Sequence, residues 1–170
     1  MNPMRKIRIA KVTLNIGAGK DQTILSKGVK LLEQITEVPP IKTVTQKRIA
    51  AWGLRPGLPI GCMTTLRKEP AKTLLSRLLK AKDSQLKESN FDDNGNVSFG
   101  IHEYIDIPQI KYDPEIGIIG FQVCVTLERP GYRIKRRKIM KRKIPLHHRI
   151  SQQDAIEFMK QEFNIKLAED

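Results

Sequence analysis

Residues 7–22 read IRIAKVTLNIGAGKDQ, and the reading of this stretch decides the fold. Val12, Leu14 and Ile16 alternate with Lys11, Thr13 and Asn15. That period of two gives a strand one apolar face and one polar face. Directly after it, Leu25, Val29, Leu32 and Ile35 recur at three and four residue steps through 22–37, predicting an amphipathic helix that Pro39 and Pro40 end. A strand, a glycine turn and a helix together raise the possibility of a nucleotide site. The residues argue against it. A phosphate loop of the form G-x-x-x-x-G-K-[ST] requires glycine where Leu14 stands and a hydroxyl where Asp21 stands, and G-x-G-x-x-G fails at Gln22. Asp21 is placed to cap the helix, so a carboxylate would occupy the position that an anion needs. The GAG is read instead as a tight turn, with Gly17 and Gly19 supplying unusual backbone angles.

Working outward, IKTVT (41–45) is a short strand, and AWGLRPGLPIG (51–61) is a loop rich in glycine and proline. In the strand IGCMTTLR (60–67), Cys62, Thr64 and Leu66 share one face and Met63, Thr65 and Arg67 the other. Pro70 suits the first turn of a helix whose stripe is Leu74, Leu75, Leu78 and Leu79. A turn at Asn94-Gly95, a strand VSFGI (97–101), an irregular stretch and a strand FQVCVTLER (121–129) follow. Ser151 and Asp154 form a capping-box pattern ahead of a last helix marked by Ile156, Met159 and Phe163. Four to five strands and three helices without strict alternation predict an α+β fold, a mostly antiparallel sheet with helices packed on one face. The expected organisation is one domain over 1–170, with a basic loop or exposed arm at 130–149 before a C-terminal helix at 151–165.

The 170 residues carry a net charge of +13, and its distribution is the informative part. Windows 1–20, 38–68 and 129–153 contain no Asp or Glu and hold 21 of the 31 Lys and Arg residues. A merely solvated surface intermixes both signs, whereas segregation of this kind is the footprint of a polyanion binder if the windows meet on one side. Catalytic and metal patterns are missing: His102-Glu103 and His147-His148 lack zinc spacing, Asp92, Asp93 and Asn94 lack calcium-loop spacing, and no serine sits in G-x-S-x-G. The expectation is no enzyme, no metal and no cofactor. Cys62 and Cys124 lie in apolar strand patterns and are expected as buried free thiols. No apolar run approaches the ~20 residues of a membrane span, and the N-terminus lacks a signal-peptide core, so a cytosolic protein without membrane contact is expected.

Lys11, Thr13 and Asn15 on the first strand, with Thr65 and Arg67 on the third, combine cationic and hydrogen-bonding groups suited to RNA. Trp52, the only tryptophan, reads either as a core residue or as a platform for a base. In the arm, Arg133, Lys135, Arg136, Arg137, Lys138, Lys141, Arg142 and Lys143 have no regular apolar stripe, which favours threading along phosphates over a zipper-type basic helix. The charge also allows a sequence-tolerant DNA binder, although no recognition helix is apparent.

KVTLNIGAG (11–19), KRIAAWGLRPGLPIGCMTTLR (47–67), FDDNGNVSFGIHEYIDIPQIKYDPEIGI (91–118) and VCVTLERPGYRIKRRK (123–138) resemble the large-subunit ribosomal protein five family in its archaeal and eukaryotic form. The resemblance runs in order over nearly the whole chain. It implies a curved, mostly antiparallel sheet and binding to 5S ribosomal RNA in the central protuberance, with large-subunit rRNA and neighbouring ribosomal proteins as partners. Asn15 matches the family's N-x-G asparagine, and Thr65 the threonine of its T-L-R. Lys47 and Arg48 join Lys11, Thr13, Asn15, Thr65 and Arg67 as expected 5S contacts. The loop Trp52, Gly53, Leu54, Arg55, Pro56, Gly57 and onward to Gly61 corresponds to the one reaching the peptidyl-site tRNA. Where bacterial members have a Gly-Gln-Lys-Pro turn that touches 5S RNA, this chain has Glu37-Val38-Pro39-Pro40, so that contact does not carry over.

Overall fold

The structure, a computed structural model, describes residues 2–168; Met1, Glu169 and Asp170, the ends of the expected 1–170 domain, lie outside it. Its strands are β1 (Arg8–Gly17), β2 (Ile41–Val44), β3 (Pro59–Leu66), β4 (Gln85–Lys87), β5 (Val97–Ile101), β6 (Phe121–Glu128) and β7 (Lys166–Ala168). The helices are α1 (Gln22–Thr36), α2 (Lys68–Lys80), the single-turn α3 (Arg133–Arg136) and α4 (Gln152–Phe163). At the centre lies a five-stranded antiparallel sheet in the order β2-β3-β1-β6-β5. The α+β fold expected from the periodicity is the one observed.

The alternation in β1 works as read. Val12, Leu14 and Ile16 are buried and meet Leu25, Leu31, Leu32 and Ile35 of α1 and the leucine stripe of α2 in one core. Ala155 and Met159 of α4 belong to the same core. Helix starts follow the expected chemistry. The Asp21 carboxylate accepts from the Thr23 N–H at 2.8 Å and the Thr23 hydroxyl at 2.7 Å, and Ser151 and Asp154 form a complete capping box.

Four features differ from the sequence reading. The parallel pair of β4 with β7 had no periodicity to reveal it, since three residues are too few to show alternation. Gly17 keeps ordinary strand backbone as the last residue of β1; Gly19, at φ 59°, is where the left-handed conformation falls. Cys62 is buried but Cys124 is exposed, because the pairing Thr13↔Cys124 puts it on the face opposite the helices. The arm, expected to bury nothing, is anchored by buried Ile144. The Tyr132 hydroxyl fastens it further, accepting from the Ile150 N–H at 3.0 Å and donating to the His148 carbonyl at 3.2 Å.

The irregular stretch between β5 and β6 is held by Tyr104, fully buried, whose hydroxyl accepts the Asp113 N–H at 2.9 Å. Among the described residues, no helix is long and apolar enough to cross a membrane.

Candidate nucleic-acid interface

Helices α1 and α2 pack on one face of the sheet, and the other stays open except at its Lys11 end, which α3 and the arm flank. Strand register sets what lies there. One row runs Ile41, Met63, Asn15, Gln122 and Gly100; the next runs Thr65, Thr13, Cys124 and Ser98. Asn15, Gln122, Thr65, Thr13 and Ser98 give this surface its hydrogen-bonding groups, with Ile41 and Met63 apolar toward the β2 edge, and the Thr13 and Thr65 hydroxyls lie 3.3 Å apart. Gln122, Ser98 and Thr126 belong to this surface and were not singled out from sequence. The signal was present, since Phe121, Val123, Val125 and Leu127 alternate with Gln122 and Thr126 and are buried.

At the Lys11 end this face runs into a groove of about 570 Å³. A β-bulge between Ile9 and Lys11 shapes its wall. Residues three apart on a regular strand point to opposite faces, but the extra residue turns Arg8 and Lys11 to the same side. The groove draws on all three acid-free windows: Lys11 from the first, Arg67 from the second, and Lys135, Arg136, Lys143 and Arg149 from the third. Each acid-free window therefore contributes at least one cation to this groove.

One acid stands among these bases. Glu128, buried, receives Arg8 at 2.8 Å on one oxygen and Arg136 on the other, so the two guanidinium groups are held in place against a single negative charge. Behind it Arg129, also buried, donates to the Arg149 carbonyl at 2.9 Å and pairs with Asp154 at 3.1 Å, tying the arm to α4. Burial pushes the Asp154 carboxyl up, but hydrogen bonds from Ser151 and the charge of Arg129 outweigh it and hold the group below the usual carboxylate range. Burial likewise raises the Tyr132 phenol. His148 is half-buried: its Nε2 lies 2.9 Å from the Pro130 carbonyl and its ring meets Tyr132 edge to face.

The remaining expected residues lie elsewhere. Lys47, Arg48 and the 52–57 loop connect β2 to β3 at the Gly17 end of the sheet, six β1 residues or about 20 Å from Lys11. Buried Thr45 makes the neck of this loop, its N–H donating to the Leu58 carbonyl at 2.9 Å and its hydroxyl to the Arg55 carbonyl at 3.0 Å. Ile49 and Leu54 then pair across it and leave Trp52 67% exposed, which removes the core reading of that residue. Leu54 is buried, so within the loop the side chains offered outward are Trp52, Arg55 and Pro56. In the arm, Arg133, Lys135, Arg136, Lys138, Lys141, Arg142 and Lys143 are exposed and Arg137 is half-buried, its Nε donating to the Met140 carbonyl at 2.9 Å. Among the described residues, no group of three or more His, Cys, Asp and Glu is placed to hold a metal.

Comparison with known proteins agrees with this architecture. Residues 2–55 match the family model described as ribosomal protein L5, and residues 59–158 match the model of the same ribosomal family's C-terminus. The chain belongs to the ribosomal protein L5 family. The large ribosomal subunit protein uL5 of Sulfurisphaera tokodaii is 47% identical over 99% of this chain and 96% of its own length. Those of Nanoarchaeum equitans and Sulfolobus acidocaldarius are 48% and 46% identical, covering 98% and 99% of this chain and 98% and 94% of their own lengths. Membership in this large-subunit family makes the chain a ribosomal protein, a structural component of the cytoplasmic ribosome and not an enzyme.

Proposed function

We propose that the protein binds 5S ribosomal RNA in the central protuberance of the large subunit, with the open sheet face and the adjoining groove as the RNA-binding surface. The observation that carries this reading is the convergence of three acid-free windows on a groove bordering a row of small polar side chains. Cations at Lys11, Arg67, Lys135 and Lys143 supply the salt-dependent attraction to phosphates. Asn15, Thr13 and Thr65 supply contacts that depend on RNA shape, base edges and 2′-hydroxyls. Large-subunit rRNA and neighbouring ribosomal proteins are further partners of the same assembly. The loop at the opposite end, with Trp52 and Arg55 outward, faces the peptidyl-site tRNA; Lys47 and Arg48 at its base grip RNA alongside.

A filter-binding titration of the purified protein against 5S rRNA, a shuffled RNA of equal length and duplex DNA, over several salt concentrations, tests the reading. A preference for 5S rRNA that persists as salt rises supports it. Equal binding of all three that collapses together with salt overturns it in favour of a general polyanion binder.

A further inference from the structure

The basic arm turns back on itself at Ile139 and Met140, which are 76% and 70% exposed. Single exposed apolar residues are ordinary, but here two stand together at the apex of a loop built from Arg137, Lys138, Lys141, Arg142 and Lys143. The apex is tied at both legs. Arg137 Nε donates to the Met140 carbonyl at 2.9 Å, and the Arg142 N–H donates to the Ile134 carbonyl at 3.2 Å. Met140 itself sits at φ 53°, a conformation disfavoured for a side chain of its kind, so the turn that displays the pair is imposed by its surroundings. A loop that only carried charge past phosphates would gain nothing from an apolar tip held in this way.

We infer that Ile139 and Met140 form an apolar wedge that packs against unstacked bases of a structured RNA while the cations on either leg hold the flanking phosphates. The occupant follows from the chemistry of the tip. With no acid from 129 to 153, the partner is a polyanion, and the apolar pair requires apolar surface within it. A fully paired RNA hides its base faces in the stack, whereas bulges and internal loops present them. An anionic lipid surface would also offer both properties. RNA is favoured because the arm continues into the groove lined by Asn94, Asn96 and Thr126, hydrogen-bonding groups matched to nucleotides rather than to acyl chains. The inference rests on the RNA-binding function proposed above.

The test compares the wild-type chain with Ile139→Ser/Met140→Ser and with Ile139→Leu/Met140→Leu, a pair that stays apolar. Affinity is measured over a salt series for 5S rRNA and for a fully paired RNA duplex of similar length, with flotation on phosphatidylcholine–phosphatidylserine vesicles alongside. The serine pair is expected to lose about tenfold on 5S rRNA with an unchanged salt slope and to bind the duplex as wild type does, while the leucine pair keeps wild-type affinity. Both positions are exposed, and an unchanged thermal midpoint confirms that folding is intact; if it falls, Met140→Gln alone replaces the serine pair. Unchanged 5S affinity in the serine pair, or equal loss on both RNAs, overturns the wedge. Vesicle binding that the serine pair abolishes while RNA affinity stays intact overturns it in favour of lipid. If the wild type itself shows no preference for 5S rRNA over the duplex, the RNA-binding surface proposed above fails first, and the wedge with it.

Discussion

Asn15 and Thr65 occupy adjacent rows of the open face, Asn15 opposite Met63 and Thr65 opposite Thr13. Neither is needed by the core, so Asn15→Ala and Thr65→Ala are each expected to weaken 5S rRNA binding several-fold, as loss of one net hydrogen bond does, and to leave the unfolding midpoint unchanged. Filter binding and thermal melting check the two halves; unchanged affinity in both variants removes this face as the site. Gly61 shows the opposite pattern. A Cβ there would lie 2.6 Å from the Ile16 carbonyl oxygen and 2.9 Å from Thr43 Oγ1, forcing β1, β2 and β3 apart. Gly61→Ala is expected to cost more than about 2 kcal/mol in urea unfolding, because the nearest obstacle is backbone and cannot rotate away. From sequence, Gly61 was only the end of a loop; its close approach to β1 becomes visible in the strand register.

At the scale of elements, α1 ends on Glu37 in the left-handed conformation, at φ 56°, with its N–H donating to the Glu33 carbonyl at 2.8 Å. Glycine is the residue suited to that position, so Glu37→Gly is expected to stabilise the protein by about 0.5–1 kcal/mol, read as a rise in urea midpoint. The start of α4 behaves differently with pH. Asp154 completes the capping box by accepting the Ser151 N–H and pairs with Arg129, and its carboxyl is held below the normal range. A depressed carboxylate contributes stability that is present above its unfolded value of about 3.9 and lost as pH falls through its folded value. The stability difference between wild type and Asp154→Asn is therefore expected to be about 1 kcal/mol at pH 7 and to shrink toward pH 3, measured by paired urea titrations. The S-x-x-D pattern disclosed the cap. The partner Arg129, 25 residues earlier in the chain, could not be found from spacing.

For the molecule as a whole, the placement of charge sets what the RNA-binding proposal predicts. Within the arm, Arg136 is engaged with Glu128 and Arg137 with the Met140 carbonyl, whereas Lys138, Lys141 and Lys143 are exposed. Replacing these three lysines with glutamine is expected to lower affinity for 5S and shuffled RNA alike and to flatten the salt slope by roughly 0.7 per lost single-strand phosphate contact. A loss confined to 5S rRNA would assign base readout to the arm instead. The sheet separates two basic regions, one at the groove and one at the Trp52 loop. A chain carrying both can meet two RNA segments about 20 Å apart without moving.

What the sequence by itself determined were the features encoded by neighbours in the chain. Alternation in β1 and β3, the leucine stripe of α2, the caps at Asp21 and Ser151 and the segregation of charge are all local patterns, because side-chain period and hydrogen-bond reach extend only a few residues. Long-range pairing was left to the tertiary structure. It alone turned Arg8 and Lys11 to one side through a bulge, buried Leu54 while exposing Trp52, and seated Glu128 between two arginines. These outcomes depend on register across strands and on loops closing over distant residues, quantities that no window of the chain contains.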